Sequence, residues 1–474
     1  METSTRENGS GAGRGKACLE WIRKNVIDPE TRLAPVTWLY CIAAMTALLS
    51  HVAVTLYFPR IYNITNKFPI PMALFSLGSI FMGRLWKDKG FWIFMALLVL
   101  KFIRNTVEPG NFFDGIPFAG FYCIGGVYAV GRVLTGETRR KFLAAFCALW
   151  TLGMTVLACL SIHVAWTGDR IMNLVNNSIY IRDGRISAFY APVQAGVLAS
   201  ASMAVAMIGL FAARNRVLKA LFPVGMAIQL LFSLLTGSRI SHIMNSFILS
   251  TLVCVLISCR LKKPAKALRA LILFGVWMLL LVLFFYANRY VIGLFNDVKA
   301  RGGLLVSVAY ADESVPIEIR DIQFNDGLGG LFGNRVGIWE SIFQVLKEHP
   351  YLLLWGGSTR NPFGVVIEYR NARWLRPETH AHNTWLHILL ENGIPGLLLY
   401  LCFNVYTVFH GLRLMIRREL PVWQRLLLCP VAACLIADLI DITCFYDTVH
   451  PQVTVLFLFA GMAAAVSGER RKEG

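Results

Sequence analysis

RVGIWESIFQVLKEHPYLLLWGG (Arg335–Gly357) and HAHNTWLHILLENGIPG (His380–Gly396) lie in the long polar interval of a chain that is otherwise a succession of apolar runs. Their reading decides the fold. An interval from Asn288 to Gly393 is too long for a bare connection, since structureless loops beyond about 12–15 residues are usually functional. Within it Val336, Trp339, Phe343 and Leu346 recur at helical spacing, with Glu340 and Lys347 off that face, which predicts a short amphipathic helix lying on a membrane surface. Asn325–Gly333 is Gly-rich and reads as a hinge into that helix. No strand signal precedes its Asp-Gly-Leu-Gly-Gly and no Gly-Lys-Ser follows, so a phosphate loop for nucleotides is excluded.

The composition agrees with a bilayer protein. Of 474 residues 56% are hydrophobic and the mean hydropathy is +0.56, above the 45–50% or so apolar content of soluble domains. The net charge of +18 is scattered in short clusters between apolar runs, which points to anionic lipid head groups and away from nucleic acid. None of the 11 cysteines falls between Asn288 and Gly393. Cys147, Cys159, Cys254, Cys402 and Cys434 sit in apolar runs and read as small buried hydrophobes, and no Cys/His spacing suggests a metal.

Apolar runs long enough to span about 30 Å of hydrocarbon are Val36–Phe58, Phe142–Trp166, Tyr190–Ala213, Val217–Leu235, Ile240–Ser258, Leu268–Ala287, Ile394–His410, Trp423–Ile440 and Val449–Ser467. Phe68–Gly83, Phe91–Ile103 and Phe112–Gly131 are three further candidates, the middle one short and bordered by a snorkelling Lys101. The expectation is an all-α integral membrane protein of about 12 transmembrane helices with one long extracytoplasmic loop containing short amphipathic helices. Clusters such as Arg84/Lys87/Lys89, Arg139/Arg140/Lys141 and Arg260–Arg269 mark the cytoplasmic side. The chain then divides into a basic cytoplasmic tail (1–35, with a short interfacial helix over Ala17–Val26), spans one to nine (36–287), the extracytoplasmic loop (288–393), spans ten to twelve (394–467) and a cytoplasmic tail (468–474). No internal repeat is present.

Three motifs follow one another in order. Arg335 stands four residues before Trp339; Pro350 and Gly356-Gly357 come next; His382-Asn383 is followed, after nine residues, by Gly393-Ile394-Pro395-Gly396. This arrangement resembles the O-antigen ligase and polymerase superfamily of multi-pass membrane glycosyltransferases. The resemblance implies a GT-C-like helical fold in the bacterial cytoplasmic membrane. It also implies transfer of a glycan from an undecaprenyl-diphosphate carrier to an acceptor hydroxyl, a sugar or lipid core, at the outer face. No cofactor is implied.

A polyprenyl-diphosphate leaving group needs fixed cations, and a guanidinium stays charged and forks onto phosphate oxygens. Arg239, in Thr236-Gly237-Ser238-Arg239, and Arg335 resemble the family's two essential arginines. Their plainer readings are a cation at a helix C-terminus and a lipid-phosphate contact. His382 occupies the family's His-Asn position, where an imidazole takes the acceptor proton; otherwise it is an interfacial polar group. Asn383 caps the helix that follows, and Gly393, Pro395 and Gly396 end that short helix. Glu378 would orient His382 or act as base. Trp339, Arg360 and Arg376 complete the expected substrate-binding set, with Arg370 and Arg373 as further outer cations. On helical spacing His380 and His387 do not share the face of His382.

No Asp-x-Asp pair occurs in the outer segments, so the expectation is metal-independent, inverting catalysis with arginines in place of an ion. A repeat-unit polymerase of the same superfamily is the nearest alternative, and a protein O-glycosyltransferase a remoter one. A multi-pass transporter is the alternative from another class. His51, Lys101, Asp114, His163, His242, Asp438 and Asp441 fall toward the outer ends of the runs, which suits an interfacial site better than a midplane pathway.

Overall fold

The computed structural model describes residues 35–57, 69–107, 116–172, 178–182, 184–189, 191–260, 266–307, 335–357, 361–375, 380–441 and 450–469. The expected N-terminal interfacial helix, the hinge at Asn325–Gly333, and Arg360, Arg376 and Glu378 lie outside the described residues. Four helical segments come first: α1 (Pro35–Tyr57), α2 (Pro69–Gly83), α3 (Lys89–Val107) and α4, a continuous run of Ile116–Phe121, Tyr122–Tyr128 and Ala129–Val133 whose middle part is π-helical. After α5 (Gly136–Thr167) the chain forms a small antiparallel sheet, β1 (Ile171–Met172), β2 (Ser178–Arg182) and β3 (Arg185–Ser187), in that order. Then come α6 (Pro192–Ala212), α7 (Arg216–Leu235), α8 (Arg239–Arg260) and α9 (Lys266–Ser307). The polar interval holds α10 (Arg335–Glu348), α11 (Tyr351–Trp355) and α12 (Gly364–Ala372), and the chain closes with α13 (Thr384–Ile416), α14 (Val422–Arg425), α15 (Leu428–Asp438) and α16 (Gln452–Gly468).

All twelve expected apolar runs fall wholly or largely on these helices. Seven of the described helices, α1, α5, α6, α7, α8, α9 and α13, are long and apolar enough to cross a membrane, and α2 and α16 are shorter apolar helices. The protein is thus a multi-pass membrane protein by helix composition.

Its centre is α6, buried along 89% of its most apolar window and packed against α5, α7, α8 and α15. In hydrocarbon there is little hydrophobic drive between helices, so close van der Waals approach decides their packing. The sequence of α6, rich in Ala, Ser and Gly, permits that approach: a Cβ at Gly209 would collide with the ring of Phe222 on α7, and one at Gly196 with the hydroxyls of Ser241 and Thr236. By contrast the best window of α9 is 6% buried, which suits a helix facing lipid.

Three expectations are corrected here. The run expected to end at Ala287 continues to Ser307, because Ile292 is buried, Phe295 meets Trp166 edge-on and Lys299 Nζ donates to the Ala165 carbonyl at 2.8 Å. At 1.5 Å per residue this helix is about 63 Å long, twice the hydrocarbon thickness. Lys101 does not snorkel; it is fully buried and pairs with buried Glu391 of α13, and removing one partner of such a pair costs about 3–5 kcal/mol. The sheet departs from a purely helical chain, though β1–β3 pair over only a few residues.

A second core belongs to the polar interval. Ile338, Ile342 and Val345 of α10 bury against Leu352, Phe363, Val366, Leu389 and Leu390, each worth about 1.5–3 kcal/mol on full burial. Of the expected apolar face, Leu346 is buried in this core and Trp339 packs against it, while Val336 and Phe343 are exposed. The helix is apolar on two sides, and the side that meets α11 and α12 is the buried one.

Candidate active site

Arg335 opens α10, where the periodic apolar residues begin. His382 stands just before α13, in the left-handed region at φ 47°, a conformation disfavoured for a side chain with a Cβ and kept only where its surroundings impose it. Those surroundings are polar anchors on either side. Asn383 caps α13 as expected: its side-chain oxygen accepts from Leu386 N at 2.9 Å, while its amide donates to the Leu439 carbonyl at 2.8 Å. Thr384 Oγ1 lies 2.8 Å from Asp438 Oδ1 and 3.0 Å from the Asp441 carbonyl, and Tyr400 donates to Asp438 Oδ2 at 2.7 Å.

These bonds bring Asp441 into the site. Its Oδ1 lies 3.5 Å from His382 Nδ1 and its Oδ2 3.8 Å from Arg335 Nη2. The carboxylate side chain is 7% exposed, against 23% for His382 and 20% for Arg335, so the acid is shielded while its two partners stay reachable. His380 is here too, its ring centroid 3.9 Å from that of His382 and its Nδ1 3.3 Å from the His382 amide. The helical-spacing argument that made His380 a secondary candidate fails because residues 380–383 precede the helix. His450 stands within electrostatic reach of Asp441 and His380.

Arg239 is the first residue of α8 and not the last of the preceding helix, so its plainer reading as a cation at a helix C-terminus does not hold. The connection is three residues, with Gly237 at φ 57°, and Arg185 of β3 packs over it, its Nε 3.1 Å from the Thr236 carbonyl. Ser238 and Ser241 hydroxyls beside Arg239 are buried without a hydrogen-bond partner among the described residues. Arg239 is close enough to Arg335 to act on it: burial pushes the Arg335 guanidinium below its usual value, Asp441 opposes that, and the charge of Arg239 adds to it. A guanidinium keeps its proton under such pressure at neutral pH.

Trp339 holds the two halves together, its indole N–H donating to the Ala381 carbonyl at 3.0 Å. Arg370 is a brace and not an outer cation: buried, it donates to the Gly337 carbonyl at 3.0 Å and to Ser341 Oγ at 2.9 Å. Arg373 stacks 3.5 Å over Tyr369 and meets Glu348 at 3.5 Å. The glycine motifs have a steric origin. A Cβ on Gly356, at φ 75°, would strike the backbone of Glu391, and one on Gly393, at φ 65°, would lie 2.7 Å from the carbonyl of Leu354. The two segments therefore cross backbone to backbone, and α13 breaks at Gly393.

His380, His382 and Asp441 offer ligand atoms within 4.8 Å of one another, a donor set of the kind that suits borderline divalent ions. Two arginines beside it oppose a further cation, and the same imidazole–carboxylate contact suits proton transfer. Sequence reasoning placed Asp441 at the end of an apolar run without a role. The signal was present: acids at the end of a membrane span, here Asp438 and Asp441, mark functional sites by default.

Residues 224–401 match the family model described as O-antigen ligase, Wzy_C. Arg239, Arg335 and His382 lie inside the matched segment; Asp441 and Arg185 lie outside it. No curated protein matches the chain.

Proposed function

For this membrane protein of the O-antigen ligase family, whose members are glycan-transferring enzymes, we propose transfer of a glycan from an undecaprenyl-diphosphate carrier to an acceptor hydroxyl at the outer face of the bacterial cytoplasmic membrane. The family assignment as an enzyme displaces the transporter alternative. The observation that carries the reading is the convergence of Arg335 and His382 on the two oxygens of Asp441, with Arg239 in electrostatic reach.

The acceptor oxygen attacks the anomeric carbon as the carbon–oxygen bond to the diphosphate breaks. Its proton passes to His382, and the electron pair of the broken bond leaves on the polyprenyl diphosphate. Arg239 and Arg335 stabilise the charge that develops there, as fixed donors do at other developing anions. The unpartnered Ser238 and Ser241 hydroxyls supply further donors beside Arg239. Asp441 orients His382. Direct displacement inverts the anomeric carbon, and the arginines do the work that a divalent ion does in other transferases. Trp339 and Asn383 shape the site, and a substrate-binding role for Arg360, Arg376 and Glu378 rests on the sequence alone. The basic clusters support a reading in which both termini are cytoplasmic and the interval between α9 and α13 faces outward.

The test is purified protein incubated with lipid-linked oligosaccharide, following release of polyprenyl diphosphate and glycan size. Release that vanishes in His382→Ala and Arg335→Ala supports the transferase. Delivery to a separate acceptor means ligase, ladders of longer lipid-linked chains mean repeat-unit polymerase, and no release with any acceptor overturns the reading.

A further inference from the structure

We propose that Lys101 and Arg104 of α3, which lie outside the matched family segment, are positioning residues that set the candidate catalytic histidine against the diphosphate-binding arginine. This rests on the transferase reading above. The two cations are three residues apart and so share one helical face. Each takes hold of one strand of the crossing at which Gly356 meets Glu391.

Lys101 pairs with Glu391, both buried. Arg104 Nη2 reaches the carbonyls of Gly357 and, at 3.4 Å, Gly356. The same two strands are joined by Gly357 N donating to the Leu390 carbonyl at 2.5 Å. The importance of this junction lies in what each strand carries. Gly356 and Gly357 end the segment that begins at Arg335, through α10 and α11. Glu391 ends the short helical piece that begins beside His382.

Helices are rigid at this length, so a shift at the junction is carried to the other end of each piece. Arg335 and His382 would then move relative to one another and to Asp441. A displacement near 1 Å in such a constellation costs about 10²-fold in rate. Lys101 is fully buried and Arg104 partly so; ionic groups withdrawn from water in this way are costly unless each has a partner, and here the partners are the two motif segments.

The experiment uses the full chain in proteoliposomes, with Arg104→Gln, Arg104→Lys, Lys101→Met and the exchanged pair Lys101→Glu with Glu391→Lys. Turnover per folded molecule, KM for the lipid-linked donor and amide hydrogen exchange are measured together. Arg104→Gln is expected to lower kcat by about 10²-fold with little change in KM, and to speed exchange in both 351–357 and 384–392. Arg104→Lys and the exchanged pair are expected to recover much of the loss. Unaltered kcat per folded molecule, or unaltered exchange in those two segments, would overturn the proposal. If the wild-type chain transfers no glycan, it is the transferase reading that fails, and exchange alone then judges the junction.

Discussion

Nδ1 of His382 lies 3.5 Å from Oδ1 of Asp441, and the other oxygen of that carboxylate faces Arg335 at 3.8 Å. One acid therefore relates a candidate base to a candidate phosphate ligand. Asp441→Asn keeps the shape and the backbone carbonyl that accepts from Thr384, but removes the negative charge that faces His382 and Arg335. We expect kcat to fall by about 10²-fold or more, within the range that general acid–base catalysis contributes, with the melting temperature little changed. Full turnover by a folded Asp441→Asn protein would remove Asp441 from the mechanism.

The glycines of the crossing make a second, steric prediction. Gly356→Ala and Gly393→Ala each place a methyl group against backbone at a positive φ, so neither neighbour can yield as a side chain would. Both should lower stability and turnover together. Gly337 is the internal control: it lies inside α10 and a Cβ there meets nothing within 4 Å. Gly337→Ala should raise stability by about 0.4–1 kcal/mol through the unfolded chain. Thermal melts of the three variants in one detergent decide the matter, and equal destabilisation by all three would refute the crossing.

What the sequence disclosed follows from the range of the forces involved. Apolar runs and the start of α10 were legible because they depend on neighbours along the chain, and the Asn383 cap for the same reason. The small sheet was legible and went unread: Ser178–Ser187 alternates apolar and polar residues around Asp183-Gly184, a hairpin signal overlooked between two membrane runs. The pairing of Asp441 with His382 and Arg335, and that of Lys101 with Glu391, could not be read in this way. They depend on which helix faces which, and spacing along one helix carries no such information. The two apolar runs on either side of Arg239 were also legible, but composition could not say to which of them the residue belongs, because a turn of three residues leaves it at the end of one and the start of the other.

Arg335 and Lys differ in a way that tests the diphosphate role. Arg335→Lys retains the cation facing Asp441 but loses the planar fork that matches phosphate oxygens, whereas Arg335→Gln loses both. Loss of a donor to a developing anion costs about 10²–10³ in kcat. We expect Arg335→Gln to show that loss in release of polyprenyl diphosphate, with Arg335→Lys intermediate. If Lys and Gln were equally active as wild type, the residue would be a structural cation at the start of α10.

Removal of divalent ions separates proton chemistry from metal chemistry at the same residues. His380, His382 and Asp441 could ligate an ion, yet Arg335 and Arg239 already bring positive charge to the place where one would sit. If the arginines neutralise the leaving diphosphate, a chelator leaves turnover unchanged and added magnesium does not raise it. Zinc, which favours imidazole ligands far more than magnesium does, should instead inhibit by engaging His380, His382 and Asp441 together, and the chelator should reverse it. Loss of turnover on chelation, restored by magnesium or manganese, would show that the cluster holds a working ion and that the arginines alone do not carry the leaving group.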